Sequence, residues 1–110
     1  MIYGPDKFVV LKLQTKERLF YKVFGTWYGD YGYGDSWRLN SGITGLTQKG
    51  PMLEFMGSSG SVYEVHKDTY GTSAYTEGVL QDLLTKINES GKGTATVLEA
   101  STDWKELDYK

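Results

Sequence analysis

A single histidine, His66, limits the acid–base chemistry open to this 110-residue chain. A strand over residues 62–66 puts Glu64 and His66 on one face, and Arg38 and Glu54 can neighbour them across an antiparallel sheet. A base and an acid flanking a phosphate, with a cation to hold it, is the set that phosphodiester cleavage needs. No pocket motif organises these four side chains, however, and the simpler reading is the solvent face of a half-exposed sheet. No catalytic residue is assigned, and an enzyme is not expected.

Metal and phosphate chemistry fare no better. Asp30 and Asp35 bracket a short segment in the manner of calcium loops, but aromatics occupy the alternate positions where oxygen ligands are required. Both aspartates therefore read as turn formers. The run Tyr31, Gly32, Tyr33, Gly34 lacks the lysine and the following helix of a phosphate loop. With one histidine and no cysteine, neither a metal site nor a cofactor is expected.

The segment 25–38 holds five aromatics, four glycines and two carboxylates with no aliphatic residue: Gly25, Thr26, Trp27, Tyr28, Gly29, Asp30, Tyr31, Gly32, Tyr33, Gly34, Asp35, Ser36, Trp37 and Arg38. Tyrosine and tryptophan offer large, stiff, half-polar surfaces that lose little entropy on contact, and glycine frees the backbone that presents them. This composition suits binding. The residues assigned to partner contact are Trp27, Tyr28, Asp30, Tyr31, Tyr33 and Asp35. Within that set Trp27, like Trp37 beyond it, also reads as a core residue at a strand end, since tryptophan is highly buried on average. Aromatics with a few lysines also suit stacking of a nucleotide or single-stranded nucleic acid. Asp30 and Asp35 would repel phosphates at the centre of such a platform, so this use ranks below protein binding.

Elements that can position the loop are readable on both sides of it. Residues 7–14 form a strand with Val9, Leu11 and Leu13 on one face and Phe8 and Val10 on the other, and residues 18–24 return as its hairpin partner. Beyond the loop, Trp37, Leu39 and Ile43 alternate through a stretch interrupted by Gly42 and Gly45. Residues 52–56 and 62–66 are two further strands, joined through Gly57, Ser58, Ser59 and Gly60. Val79, Leu80, Leu83, Leu84 and Ile87 recur at helical spacing, with Thr76 as the expected cap and the glycines at 91 and 93 as the stop. A short strand over 94–99 and an acidic tail complete the chain. In that tail Asp103 and Glu106 can cap a terminal turn, with Trp104 and Leu107 pinning it to the body. The fold class expected is α+β: an antiparallel sheet of about five or six strands, mostly a meander, with one helix packed on a face, a strand after the helix and an acidic C-terminal tail. It is read as one domain, 1–110.

Bulk composition narrows the function classes. The chain is 39% hydrophobic and 24% charged, the balance of an ordinary globular protein, while its 15% aromatic content is dominated by nine tyrosines. Formal charge is −2. Residues 1–60 hold seven Lys/Arg against five Asp/Glu, and residues 61–110 hold five against nine, which is neither the concentrated basic face of a nucleic-acid binder nor the dense acidic array of a DNA mimic. Apolar runs fall far short of a membrane span, the start of the chain has no signal-peptide pattern, and the absence of cysteine permits a cytoplasmic location.

The general character, small, cysteine-free, slightly acidic, Tyr/Gly-rich and without a catalytic set, resembles phage-encoded accessory proteins that inhibit host or defence machinery by occlusion. That resemblance implies a protein partner met through the aromatic loop. The alternative is a small nuclease, or a nucleotide- or nucleic-acid-binding protein, using Arg38, Glu54, Glu64 and His66 as small ribonucleases use a similar sheet.

Overall fold

Phe8, Val9, Val10 and Leu11 are all buried in the strand they share, so both faces of that strand must be covered. The architecture follows from this. In a computed structural model, residues 1–29 and 34–109 are described. The elements are β1 (Ile2–Tyr3), β2 (Lys7–Thr15), β3 (Leu19–Trp27), β4 (Ser36–Leu39), β5 (Ile43–Lys49), β6 (Met52–Gly57), β7 (Val62–His66), α1 (Ala74–Glu89) and β8 (Gly93–Val97), with a closing 3-10 turn at Trp104–Glu106.

The strands form two four-stranded sheets: a central sheet ordered β4-β3-β2-β8 and an outer sheet ordered β1-β7-β6-β5. Phe8, Val10, Tyr21 and Val23 of the central sheet pack against Ile43, Leu53, Phe55, Tyr63 and Val65 of the outer one. Val9, Leu11, Leu13, Phe24 and Ala95 point the other way, where α1 covers them with Leu80, flanked by Val79, Leu83, Leu84 and Ile87. The molecule is thus three layers, outer sheet, central sheet and helix.

The α+β class, the helix on a sheet face and the strand after the helix are as expected, but the single sheet is two. Ile2–Tyr3, ahead of the strands read from the sequence, pairs with β7 in parallel. The expected alternation of Trp37, Leu39 and Ile43 is divided between the sheets: β4 pairs with β3, and β5 pairs with β6. The chain crosses between sheets at residues 40–42, where Asn40 accepts the Val23 N–H at 2.8 Å and Gly42 adopts a φ of +133° that a side chain would strain.

The helix also begins earlier than expected. Ser73, not Thr76, is the N-cap: its hydroxyl accepts the Thr76 N–H, and the Thr76 hydroxyl accepts the Ser73 N–H, a reciprocal box. Gly91, at φ +73°, follows the C-cap Ser90. In the tail, Asp103 caps the 3-10 turn by accepting the Lys105 N–H at 3.1 Å. Trp104 is buried among Phe8, Phe55 and Tyr70. The Tyr70 hydroxyl accepts the Val10 N–H and donates to the Leu98 carbonyl, latching the segment after β8 onto β2.

Candidate functional site

The aromatic segment begins inside β3 and ends inside β4, so residues 28–35 lie between the two strands. Asp30, Tyr31, Gly32 and Tyr33 lie outside the described residues, and with them three of the six positions assigned to partner contact. The two ends of the loop are held by carboxylates. Asp6 accepts the Tyr28 N–H at 2.8 Å and Asp35 accepts the Gly29 N–H at 2.9 Å. The Ser73 hydroxyl, then the Gly29 N–H, hold the pKa of Asp35 below the ordinary carboxylate value. The Asp35 carboxylate thus ties Gly29, just beyond the end of β3, to the start of β4.

A second tie lies one layer deeper. The Thr26 and Thr76 hydroxyls share a hydrogen bond of 2.9 Å in the buried interior. Thr26 is the cross-strand partner of Trp37, so this bond seats the first turn of α1 over the β3–β4 end of the central sheet. Three exposed rings belong to the segments that meet at this end: Tyr28 at 51%, directly after β3, Trp37 at 42%, on β4, and Tyr75 at 59%, in the first turn of α1. Trp37 stacks one face on Phe24, with centroids 5.5 Å apart and planes 13° from parallel, and its other face meets solvent.

Trp27 sits on the opposite face of the same sheet end. It is half-buried and meets Tyr3 edge-on at 6.4 Å. Trp27 is therefore close to the core position expected of it, whereas Trp37 is not, because β4 is an edge strand with no layer beyond it. Tyr75 carries no signal of its own in the sequence, since the helix expected from Thr76 onward begins at Ala74.

The acid–base set is split. Glu54 and Glu64 are register partners on the outward face of the outer sheet, and His66 lies on that face opposite Met52. Lys49 meets Glu54 at 3.4 Å, and the His66 Nδ1 accepts the Asp68 N–H at 3.1 Å. Arg38 is on the other side of that sheet: its guanidinium stands 4.5 Å over the Tyr3 ring and acts on the Tyr63 hydroxyl through its charge. Alternation along β7 turns Tyr63 inward and Glu64 and His66 outward, so Arg38 cannot share a phosphate with them. Among the described residues no group of three or more His, Cys, Asp or Glu converges on a metal-sized space.

A cleft of about 630 Å3 is lined by Glu17, Arg18, Phe20, Ser41, Ser58 and Tyr109 among others. It opens at the start of β3, at the far end of that strand from the aromatic loop, and the Arg18 guanidinium lies over Phe20 at 4.7 Å. Glu17 adds one carboxylate to its hydroxyls and guanidinium. No helix among the described residues is long and apolar enough to cross a membrane. Comparison of the chain with protein-family models, with curated proteins and with solved structures finds no match.

Proposed function

We propose that this chain is a non-enzymatic binding protein that occludes a protein partner with the aromatic end of its central sheet. The observation that carries the reading is that Tyr28, Trp37 and Tyr75 are exposed rings on segments tied together at one sheet end by the Thr26–Thr76 bond and the Asp6 and Asp35 carboxylates. Interface anchors are enriched in tyrosine and tryptophan, and rings held on a fixed base lose less entropy when they are covered. The finer proposal is that the partner belongs to host or defence machinery and that the protein acts in the cytoplasm as a phage-type inhibitor. That part rests on composition alone. The nuclease alternative loses its cation to the other side of the outer sheet and has no observation in its favour.

The reading is tested by comparing what the purified protein and a Tyr28→Ser, Tyr75→Ser variant capture from the cells that make it. A stoichiometric protein retained by the first and lost by the second is expected. Recovery of nucleotides or RNA in its place contradicts the proposal.

A further inference from the structure

The free edge of β4 is an open ladder. The Asn40 N–H donates to the Val23 carbonyl at 2.9 Å, which fixes the alternation along β3: Val23, Gly25 and Trp27 turn their backbone groups toward β4. Opposite them Arg38 and Ser36 face inward, so the N–H and C=O groups of Trp37 and Leu39 face away from the sheet. Among the described residues they have no backbone or side-chain partner. A row of unpaired donors and acceptors on an edge strand is a template for another strand unless something blocks it.

The other three edges are blocked or poor. On β8 the Asn88 side chain covers the outward groups of Ala95, donating to its carbonyl at 3.1 Å and accepting its N–H at 3.0 Å. β1 is only two residues long. β5 is bent by a register shift between Ile43 and Gly45 and ends in Thr47, Gln48 and Lys49, a polar run with a lysine. β4 has no proline, no bulge and no lysine, and its one cation, Arg38, is drawn back over Tyr3. Its outward-facing residues, Trp37 and Leu39, put their side chains on the α1 side of the sheet, where both pack beside Phe24.

We infer that the partner supplies an extended segment that adds to the central sheet as a fifth strand alongside β4, with apolar side chains at every second position to lie beside Trp37 and Leu39. This rests on the protein-binding reading above and names the form its partner takes.

The probe is a display library of random linear peptides selected on the immobilised protein. A selected peptide should lose binding when alternate residues are N-methylated and keep it when the residues between them are, the two-residue period of a strand. Leu39→Pro removes an outward N–H and leaves the ladder to β3 whole, so it should weaken the peptide at least about tenfold, while Leu39→Val should not. Should Leu39→Pro fail to fold, the N-methyl pattern on the wild-type protein decides alone. Peptides that ignore Leu39→Pro in a folded variant, methylation effects without alternation, or no selected peptide at all overturn the inference. Peptides lost by the Tyr28→Ser, Tyr75→Ser variant but kept by Leu39→Pro also overturn it, while leaving the exposed rings as the binding surface.

Discussion

Ser73 caps α1 by accepting the Thr76 N–H at 3.2 Å, and its hydroxyl is also the main influence that lowers the pKa of Asp35, so one serine acts on both the helix start and the end of the aromatic segment. Carboxyl-resolved NMR titration should place the Asp35 midpoint below the ordinary carboxylate value, and Ser73→Ala should move it back up. Because the folded pKa is depressed, the contribution of Asp35 is present above its unfolded value and is lost as pH falls through the folded one. An Asp35→Asn variant should lack that acid-side dependence. Ser73→Ala should separately cost about 1 kcal/mol as a lost cap, read by denaturant titration.

Tyr70 gives the alkaline counterpart. Burial pushes its pKa up to about 12, against an ordinary value of 10.0, and only its backbone bond to Val10 opposes this. Burial, then Tyr21 and Asp103, raises Tyr109 as well. In the unfolded chain these phenols ionise near 10. The folded chain holds their protons longer, so stability is full below 10 and falls between there and about 12. Tyr70→Phe should flatten that fall in melts across the range. It should also cost about 1–3 kcal/mol near neutral pH, since the Val10 N–H and the Leu98 carbonyl lose their partner.

Packing predictions follow the layers. Leu80 is 1% exposed beneath α1, so Leu80→Ala should cost about 2–5 kcal/mol, with Leu83→Ala lower because Leu83 is only half-buried. Trp104→Ala should cost about 3–5 kcal/mol and free the tail, since that ring fills the space among Phe8, Phe55 and Tyr70. Lys86→Ala, on an exposed helix position, should be nearly silent. Denaturant midpoints at constant slope measure all four.

Local patterns were legible in the sequence and long-range pairing was not. The stripe from Val79 to Ile87 read as a helix because its spacing allows little else, and the β2–β3 hairpin read as one because its partners are adjacent in the chain. Phe8 and Val10 already signalled a second buried face, but nothing local says which strands cover it. The split between β4 and β5 hangs on Asn40, a buried amide that completes the β3 ladder in place of a strand residue, and its role is invisible without the fold. Thr76 looked like a cap because it precedes the apolar stripe. Its hydroxyl is instead needed by both Ser73 and Thr26. Of the candidate site, Tyr28 and Asp35 were legible from composition. Trp37 and Tyr75 were not, because exposure depends on where a sheet ends.

Binding through the exposed rings is the central claim, and affinity capture measures it most directly. Wild-type protein and the Tyr28→Ser, Tyr75→Ser variant are immobilised at equal density after their melting temperatures are shown to agree, and the captured material is quantified. The account predicts one stoichiometric protein on the wild type, reduced at least about tenfold on the variant, as expected when rings that each contribute on the order of 1–2 kcal/mol are removed. Equal capture of that protein by both would contradict it.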